Sequence, residues 1–513
     1  MAELPSVLLA ASEVVGFAKT GGLADVSGYL PLALSRRGHR TAVIMPLYRS
    51  VRLGKTPIRP TETLLAVPLG KTISPCRLWR GELNGGSVPI FFVEHPEFFE
   101  RDDPAHGTTI YQRTNLDGRK VDYQDNCARY TFFCRAVLEA LPHLGFAVDI
   151  LHANDWQTGL LPVMLRELYR HRHEYRRVRT LFTIHNIAYQ GAFSRDQFQL
   201  SGLDYRLYNP HQLEFYGQFN FLKGGIVFAD WVNTVSPTYA NEIRTSSFGC
   251  GMEGILVERR DRLSGIVNGV DYDSWDPATD PFLPCNYTTA NVVDGKALCK
   301  GDLQHYFGLP CEKRVPLIGM IARLVEQKGL DLVVKAADDM LKLPVQLVIL
   351  GEGDPVYHAK LHAIRERYPQ QVGLYIGFDE KLAHRIEAGS DLYLMPSLFE
   401  PSGLNQLYSL RYGTPPIVRT TGGLADTISD TTEESLYLGE PTGFRFQAYT
   451  QQALAGTVRW ATHLYHDRPE TFLRIVRNGM KADWSWDRAA IGYEKIFRRL
   501  MMEREGRRLV ESA

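Results

Sequence analysis

Short, almost wholly apolar runs recur along this chain with amphipathic stretches between them, and that alternation restricts the fold more than any other feature. The runs fall at residues 7–11, 41–45, 150–151, 180–184, 231–235, 317–321, 345–350, 392–395 and 416–418. Continuous short apolar runs of this kind predict strands buried on both faces, as in a parallel sheet. Helical patterns separate most of them; the first has Leu23, Val26, Leu30 and Leu34 at spacings of three and four. Strands alternating with helices predict a doubly wound α/β architecture. A chain of 513 residues is too long for one such sheet, so two are expected. The break is placed near 255–275, where Asn268-Gly-Val-Asp271 reads as a turn. Pro31 lies inside the first helical pattern, which predicts a kink or an early break there. Residues 493–508 read as a charged amphipathic helix that packs back onto the first half.

Two glycine loops echo one another. Thr20-Gly-Gly-Leu-Ala-Asp25 recurs as Thr421-Gly-Gly-Leu-Ala-Asp426, each opening a helical pattern. A glycine pair before a helix lets the backbone approach a phosphate, and the N–H groups and dipole of that helix end favour the anion. A tight strand–helix turn explains the pair equally well. Lys19 adds a positive charge to the first loop alone. Neither loop is a Walker loop or a Gly-x-Gly-x-x-Gly dinucleotide fingerprint, so a dehydrogenase is not favoured.

Charged and polar residues gather where the predicted strands end, which is where α/β sheets bind ligands. Arg323 and Lys328 follow the run at 317–321; an arginine forks onto a diphosphate and a lysine supplies a point charge. Asp155 follows 150–151, His185 with Asn186, Tyr189 and Gln190 follows 180–184, and Glu400 follows 392–395 with a helical pattern from Leu404 onward. Asp271-Tyr-Asp273 has the Asp-x-Asp form that holds a metal in some sugar-nucleotide enzymes, but it sits in the turn at the domain junction and reads as part of that turn.

Lys plus Arg and Asp plus Glu number 58 each, which argues against a chain held by bulk charge to nucleic acid or an anionic membrane. The seven cysteines are odd in number and form no Cys-x-x-Cys pair; neither a disulfide framework nor a zinc site is expected, and a reducing cytoplasm fits. The start of the chain has no basic segment before its short apolar run, so no signal peptide is read there. No stretch approaches the length of a transmembrane helix.

The ordered set of these segments resembles bacterial glycogen synthase and plant starch synthase, glycosyltransferase family 5. The matching segments are Lys19-Thr-Gly-Gly-Leu-Ala-Asp25, Asn154-Asp-Trp156, Thr183-Ile-His-Asn-Ile-Ala-Tyr-Gln-Gly191, Val235-Ser-Pro-Thr-Tyr239, Asn268-Gly-Val-Asp271 with Trp275, Arg323-Leu with Gln327-Lys-Gly329, Glu400-Pro-Ser-Gly-Leu404 and Thr421-Gly-Gly-Leu-Ala-Asp426. They cover nearly the whole chain, in family order. The resemblance implies a GT-B fold, two Rossmann-like doubly wound domains facing across a deep cleft. The domains are expected at 1–265 (acceptor side and closure loop) and 266–490 (donor side), with a helix at 491–513 on the first. It implies a metal-independent, cofactor-free, cytoplasmic enzyme that transfers glucose from ADP-glucose to the non-reducing end of an α-1,4-glucan such as glycogen, with retention at the anomeric carbon.

Position by position, the resemblance makes Lys19 the donor-binding lysine and Gly22 a donor of its N–H to the phosphates. It makes Asp25, Asp155 and Asn268 polar residues near the sugars, and His185 the histidine beside the transferred glucose. Glu400 becomes the glutamate that holds the sugar's hydroxyls, Arg323 and Lys328 the cations on the departing diphosphate, Leu404 and Asn405 the phosphate end of a helix, and Phe378 the ring on adenine. There are departures: Gln157 replaces the family's His, Ser402 its usual Cys and Phe378 its usual Tyr. Two other readings are the same chemistry with UDP-glucose or another acceptor, and a non-catalytic glucan-binding protein. The latter would have lost Lys19, His185, Arg323, Lys328 or Glu400, and all five are present.

Overall fold

The apolar runs form strands in a computed structural model, which describes residues 4–83, 86, 88–101, 110–115 and 120–511, with side chains to residue 504. The chain divides into two units. The first comprises Met1–Val235, Ala240–Gly269 and Trp486–Ala513; the second comprises Ser236–Tyr239 and Val270–Ser485. Asn268, counted with the second domain on sequence, therefore falls in the first unit.

The largest described sheet of the first unit has nine strands. Their order is Leu263–Gly265, Trp231–Thr234, Arg179–Ile184, Ile150–Asn154, Val7–Ala10, Thr41–Pro46, Pro89–Val93, Thr72–Glu82 and Arg59–Leu69. The first seven are parallel; Val7 pairs with Thr41 on one side and Ile150 on the other. Val7–Ala10, Thr41–Pro46 and Arg179–Ile184 are buried throughout, as expected when helices cover both faces. The last two strands form an antiparallel hairpin at the edge. Much of Arg59–Leu69 alternates exposed with less exposed residues, so one face is wet and its sequence carries no continuous apolar run. That is why the hairpin is missing from the sequence reading.

The six-stranded sheet of the second unit is parallel throughout, in the order Val372–Ile376, Gln346–Gly351, Leu317–Ile321, Leu392–Met395, Pro416–Arg419 and Phe444–Phe446. On one face its core packs Ile318, Leu347, Ile349, Leu392 and Leu394 against helices that supply Val333, Ala336 and Val458, and on the other it packs Leu317, Val348 and Leu350 against Leu303, Leu382 and Ile386. Trp275 lies between the rings of His384 and Tyr408, at centroid distances of 3.8 and 4.0 Å, so this tryptophan is a packing anchor.

In both sheets the first strand has neighbours on either side, one reached by each direction of winding. Loops on its carboxyl end therefore diverge from those of the strand on the other side of the switch and leave a crevice, the usual ligand position in open α/β sheets. In the first unit the switch lies between Val7–Ala10 and Ile150–Asn154; in the second it lies between Leu317–Ile321 and Leu392–Met395.

The expected break at Pro31 does not occur. The helix runs through it, Gly22–Arg36. Pro31 supplies no N–H, but its carbonyl accepts from the Thr41 hydroxyl at 3.0 Å. Leu23, Val26 and Leu30, Ala33 and Leu34 are buried on either side of it, so tertiary packing holds the two halves in one helix. The terminal helix, Trp486–Glu511, begins earlier than expected. It is clamped to the rest of the first unit by Arg37–Glu494 and Arg504–Asp149 pairs, each at 2.7 Å. The Arg37 guanidinium holds the Glu494 carboxyl below its ordinary range.

Candidate functional site

In the first unit, three loops at the carboxyl ends of neighbouring strands carry Lys19, Asp155 and His185. Asp155 stands first after Ile150–Asn154, with φ 56° and ψ −179°. That combination belongs essentially to glycine and costs on the order of 1–3 kcal/mol elsewhere. The Asp155 carboxylate accepts the His185 backbone N–H at 2.7 Å and a further bond from the Asn186 backbone, so the strain ties two site loops together. Burial, opposed by those two bonds and aided by the charge of Glu13, raises the Asp155 carboxyl to about 7.

His185 is set as a neutral ring. Asn154 donates through its amide nitrogen to the carbonyls of Ala10 and His152, both at 3.2 Å, which turns its amide oxygen towards His185. Nε2 of His185 lies 2.9 Å from that oxygen and must carry the proton. Nδ1 is then the acceptor. Burial lowers His185 to about 3.

These shifts have opposite signs. A carboxyl raised in the folded state stabilises below its unfolded pKa and stops doing so as pH rises through about 7. Asp155→Asn is expected to gain stability over the parent from pH 4 towards pH 7, level off above that, and lose roughly 10²-fold in turnover. Thermal melts across that range check the first part; a parent and variant whose melting temperatures run in parallel with pH contradict it.

The first glycine loop is held in place. Lys19 Nζ pairs with Asp25 Oδ1 at 2.8 Å, with the lysine side chain about half exposed (48 %). Thus Asp25 orients the lysine. Two residues on, the Gly21 N–H donates to Glu13 Oε2 at 3.0 Å, and Gly22 opens the helix Gly22–Arg36.

In the second unit, Arg323, Lys328 and Glu400 sit on the two loops flanking the switch. Lys328 Nζ meets Glu400 Oε2 at 2.5 Å, and Ser397 Oγ donates to the same oxygen at 3.1 Å. The side chain of Glu400 is 6 % exposed and that of Lys328 is 20 % exposed. The exposed Arg323 guanidinium pairs with no described residue. Leu398 N–H donates to the Gln327 carbonyl at 2.9 Å, joining the two loops. Gly329, at φ +77°, must be glycine because a Cβ there would lie 2.1 Å from the Pro396 carbonyl.

The second glycine pair is no open phosphate cradle. Gly423 N–H donates to the carbonyls of Glu400 and Pro401 at 3.1 and 3.2 Å. A Cβ on Gly422 would lie 2.0 Å from the Glu400 carbonyl, and one on Gly423 2.0 Å from that of Ser402. This loop is the floor under Glu400. Its aspartate also differs from Asp25: Asp426 accepts from the Thr238 hydroxyl at 2.6 Å and the Thr238 N–H at 3.1 Å.

Asn405 starts the helix Asn405–Arg411, with Leu404 before it. The Asn405 side chain bonds to the Ile321 carbonyl and the Tyr393 hydroxyl at 2.9 and 2.7 Å, which leaves backbone N–H groups as what this end offers an anion. Phe378 follows the edge strand Val372–Ile376 and is 83 % exposed. Asn268 is buried, with its amide oxygen unpartnered, and is not brought to Asp155 or His185 by any bond among the described residues. Gln157 is buried in the first unit, and the Ser402 hydroxyl has no partner among the described residues. Asp271 bonds to the Asp273 N–H and the Ser274 hydroxyl of its own turn. Sequence reasoning missed Glu13, which binds the first glycine loop; the signal available was a carboxylate on the same loop, six residues before Lys19.

Residues 6–258 match the family model of the starch synthase catalytic domain, and residues 307–480 match that of glycosyl transferases group 1. The glycogen synthase of Rhodopirellula baltica is 42 % identical over 514 residues, covering 98 % of this chain and 99 % of its own length. That of Anaeromyxobacter sp. strain Fw109-5 is 46 % identical over 495 residues, covering 96 % and 99 %. Among solved structures, the catalytic domain of starch synthase IV from Arabidopsis thaliana, bound to ADP and acarbose, is similar with a TM-score of 0.86 at 35 % identity. The match covers 97 % of this chain and 99 % of that one.

Proposed function

The chain belongs to the glycogen synthase and starch synthase family of glycosyltransferases, with the GT-B fold, and from that premise we propose that it transfers glucose from ADP-glucose to the non-reducing 4-hydroxyl of an α-1,4-glucan, with retention. The observation that carries the reading is the Lys328–Glu400 pair, with Arg323 on the same loop as Lys328, at the switch of the second sheet. Two cations suit a diphosphate, and a buried carboxylate beside them suits sugar hydroxyls and a developing oxocarbenium charge.

In the proposed reaction the acceptor oxygen attacks C1 from the face that ADP leaves. The bond from C1 to the diphosphate oxygen breaks, the new C1–O4 bond forms, and the hydroxyl proton passes to a phosphate oxygen of the leaving ADP. Arg323, Lys328, Lys19, the Gly22 N–H and the backbone N–H groups at Leu404 and Asn405 carry the charge that develops on the diphosphate. His185 accepts a glucose hydroxyl at Nδ1, Glu400 accepts another, and Asp155 braces the His185 loop. Phe378 stacks on adenine; Asn268 lies near the sugars. Neither a metal nor a cofactor is required in this scheme. No described helix is long and apolar enough to cross a membrane. All seven cysteines are free thiols, in keeping with work in the cytoplasm.

The test is elongation of glycogen with ADP-glucose beside UDP-glucose. A higher kcat/KM with ADP-glucose is expected. Preference for UDP-glucose moves the donor assignment; no elongation with either donor leaves a glucan-binding protein.

A further inference from the structure

Glu13 lies at the base of the first glycine loop and is 4 % exposed. Its two oxygens take four donors. Oε2 accepts the Thr20 N–H at 2.5 Å and the Gly21 N–H at 3.0 Å. Oε1 accepts the Thr20 hydroxyl at 2.6 Å and the Tyr111 hydroxyl at 2.7 Å. Tyr111 in turn lies 2.6 Å from Ser12 Oγ, which completes a chain from serine to tyrosine to glutamate. The Tyr111 ring stands 6.3 Å from that of Trp156, the neighbour of Asp155.

A buried carboxylate is stable where each lone pair is met, and charge-assisted bonds of this kind are the stronger ones. Their place along the loop matters. Thr20 and Gly21 are the two residues between Lys19 and Gly22, and Glu13 holds both of their N–H groups. The backbone on either side of that grip is therefore fixed. Lys19, immediately before it, is turned onto Asp25; Gly22, immediately after it, is the first residue of the helix. The negative charge of Glu13 is spread over four donors.

We propose that Glu13 is the positioning residue of the donor loop: by holding Thr20 and Gly21 it sets Lys19 and the Gly22 backbone in the arrangement that receives a sugar-nucleotide diphosphate. This rests on the reading of Lys19 and Gly22 as donor contacts. Glu13 touches no reacting atom; it acts through the loop. Glutamine in its place retains the pattern, because the amide oxygen takes the two N–H groups while the NH₂ donates to the Thr20 and Tyr111 hydroxyls, both of which also accept.

The test compares the parent enzyme with Glu13→Ala, Glu13→Gln and Thr20→Val, measuring KM for ADP-glucose, KM for glycogen, kcat, ADP affinity by calorimetry and melting temperature. Glu13→Ala is expected to raise the donor KM and the ADP dissociation constant about tenfold and to lower kcat about 10²-fold, as an ångström-scale misplacement does. The glycogen KM stays within about twofold on the same ground, since the loop does not hold the acceptor. Glu13→Gln recovers most of the loss. Thr20→Val, which removes one of the four bonds, shifts the donor KM in the same direction by less and carries the test if Glu13→Ala does not fold. An unchanged donor KM in Glu13→Ala or Thr20→Val, or a Glu13→Gln no better than Glu13→Ala, overturns the proposal. A parent enzyme that neither binds ADP nor uses ADP-glucose defeats the donor reading itself, and the parent control separates that outcome.

Discussion

Lys328→Ala is expected to lower turnover roughly 10²–10³-fold and to destabilise the protein by about 3 kcal/mol. The two effects have separate causes. Turnover falls because a cation is lost from the leaving diphosphate. Stability falls because Glu400, with a side chain only 6 % exposed, then keeps its charge with Ser397 Oγ, 3.1 Å away, in place of a cation, and an uncompensated buried charge is costly. A second substitution separates them. Lys328→Ala with Glu400→Gln removes the stranded charge and should recover most of the melting temperature while leaving turnover at or below that of the single variant. Thermal melts and initial rates on all four proteins of the cycle give the answer. Near-parental turnover in Lys328→Ala removes its assigned role, and a double variant as unstable as the single one removes the explanation of the stability loss.

Gly422→Ala and Gly21→Ala fall in the glycine pairs of the two loops and are expected to behave differently. At Gly422, φ is +44° and a Cβ would lie 2.0 Å from the Glu400 carbonyl, far inside contact distance. The alanine must push the Glu400–Ser402 backbone away or distort its own loop, and the position of the glutamate is lost either way. Turnover should fall by about 10²-fold or more, the cost of an ångström-scale displacement of a site group. Gly21 has φ −155°, and a Cβ there meets nothing within 4 Å. Gly21→Ala should change stability by no more than about 0.5 kcal/mol, as at an ordinary surface position, and keep most of the activity, since its N–H still reaches Glu13. The measurements are kcat and melting temperature of each variant. Equal losses in the two would show that the loops do the same job.

Nine of the thirteen parallel strands among the described residues were legible, because burial on both faces forces continuous apolar runs such as that at 180–184; Pro89–Val93, Leu263–Gly265, Val372–Ile376 and Phe444–Phe446 were not read as strands. The site loops were legible because chemistry sits where those strands end, so Asp155, His185, Arg323 and Glu400 each follow a run closely. The hairpin of Arg59–Leu69 and Thr72–Glu82 was not, since its exposed positions break the run into a pattern that also suits loop. Pro31 misled in the other direction: local backbone chemistry predicts a break, and packing of Leu30 and Leu34 overrides it. What sequence spacing could not carry was which partner each polar residue chooses. Lys19 chooses Asp25, Glu13 chooses Thr20 and Gly21, and Asp426 chooses Thr238. Two identical hexapeptides thus do different work: one follows a lysine and is gripped by Glu13, and the other supports Glu400 from beneath. The backbone conformation of Asp155 was equally hidden, because only the fold decides that a non-glycine residue takes φ 56°.

The elongation reaction itself is the most direct test of the proposed chemistry. Maltooligosaccharide and ADP-glucose are incubated with the enzyme in the presence of a chelator, and the product is read by NMR for the linkage and anomeric configuration of each added glucose. New α-1,4 linkages at the non-reducing end, one ADP released per glucose added, and their loss in His185→Ala are expected. A β linkage, a reaction that stops with the chelator, or a His185→Ala enzyme with parental rate would contradict retention, metal independence or the histidine's role respectively, and no transfer at all would contradict the assignment.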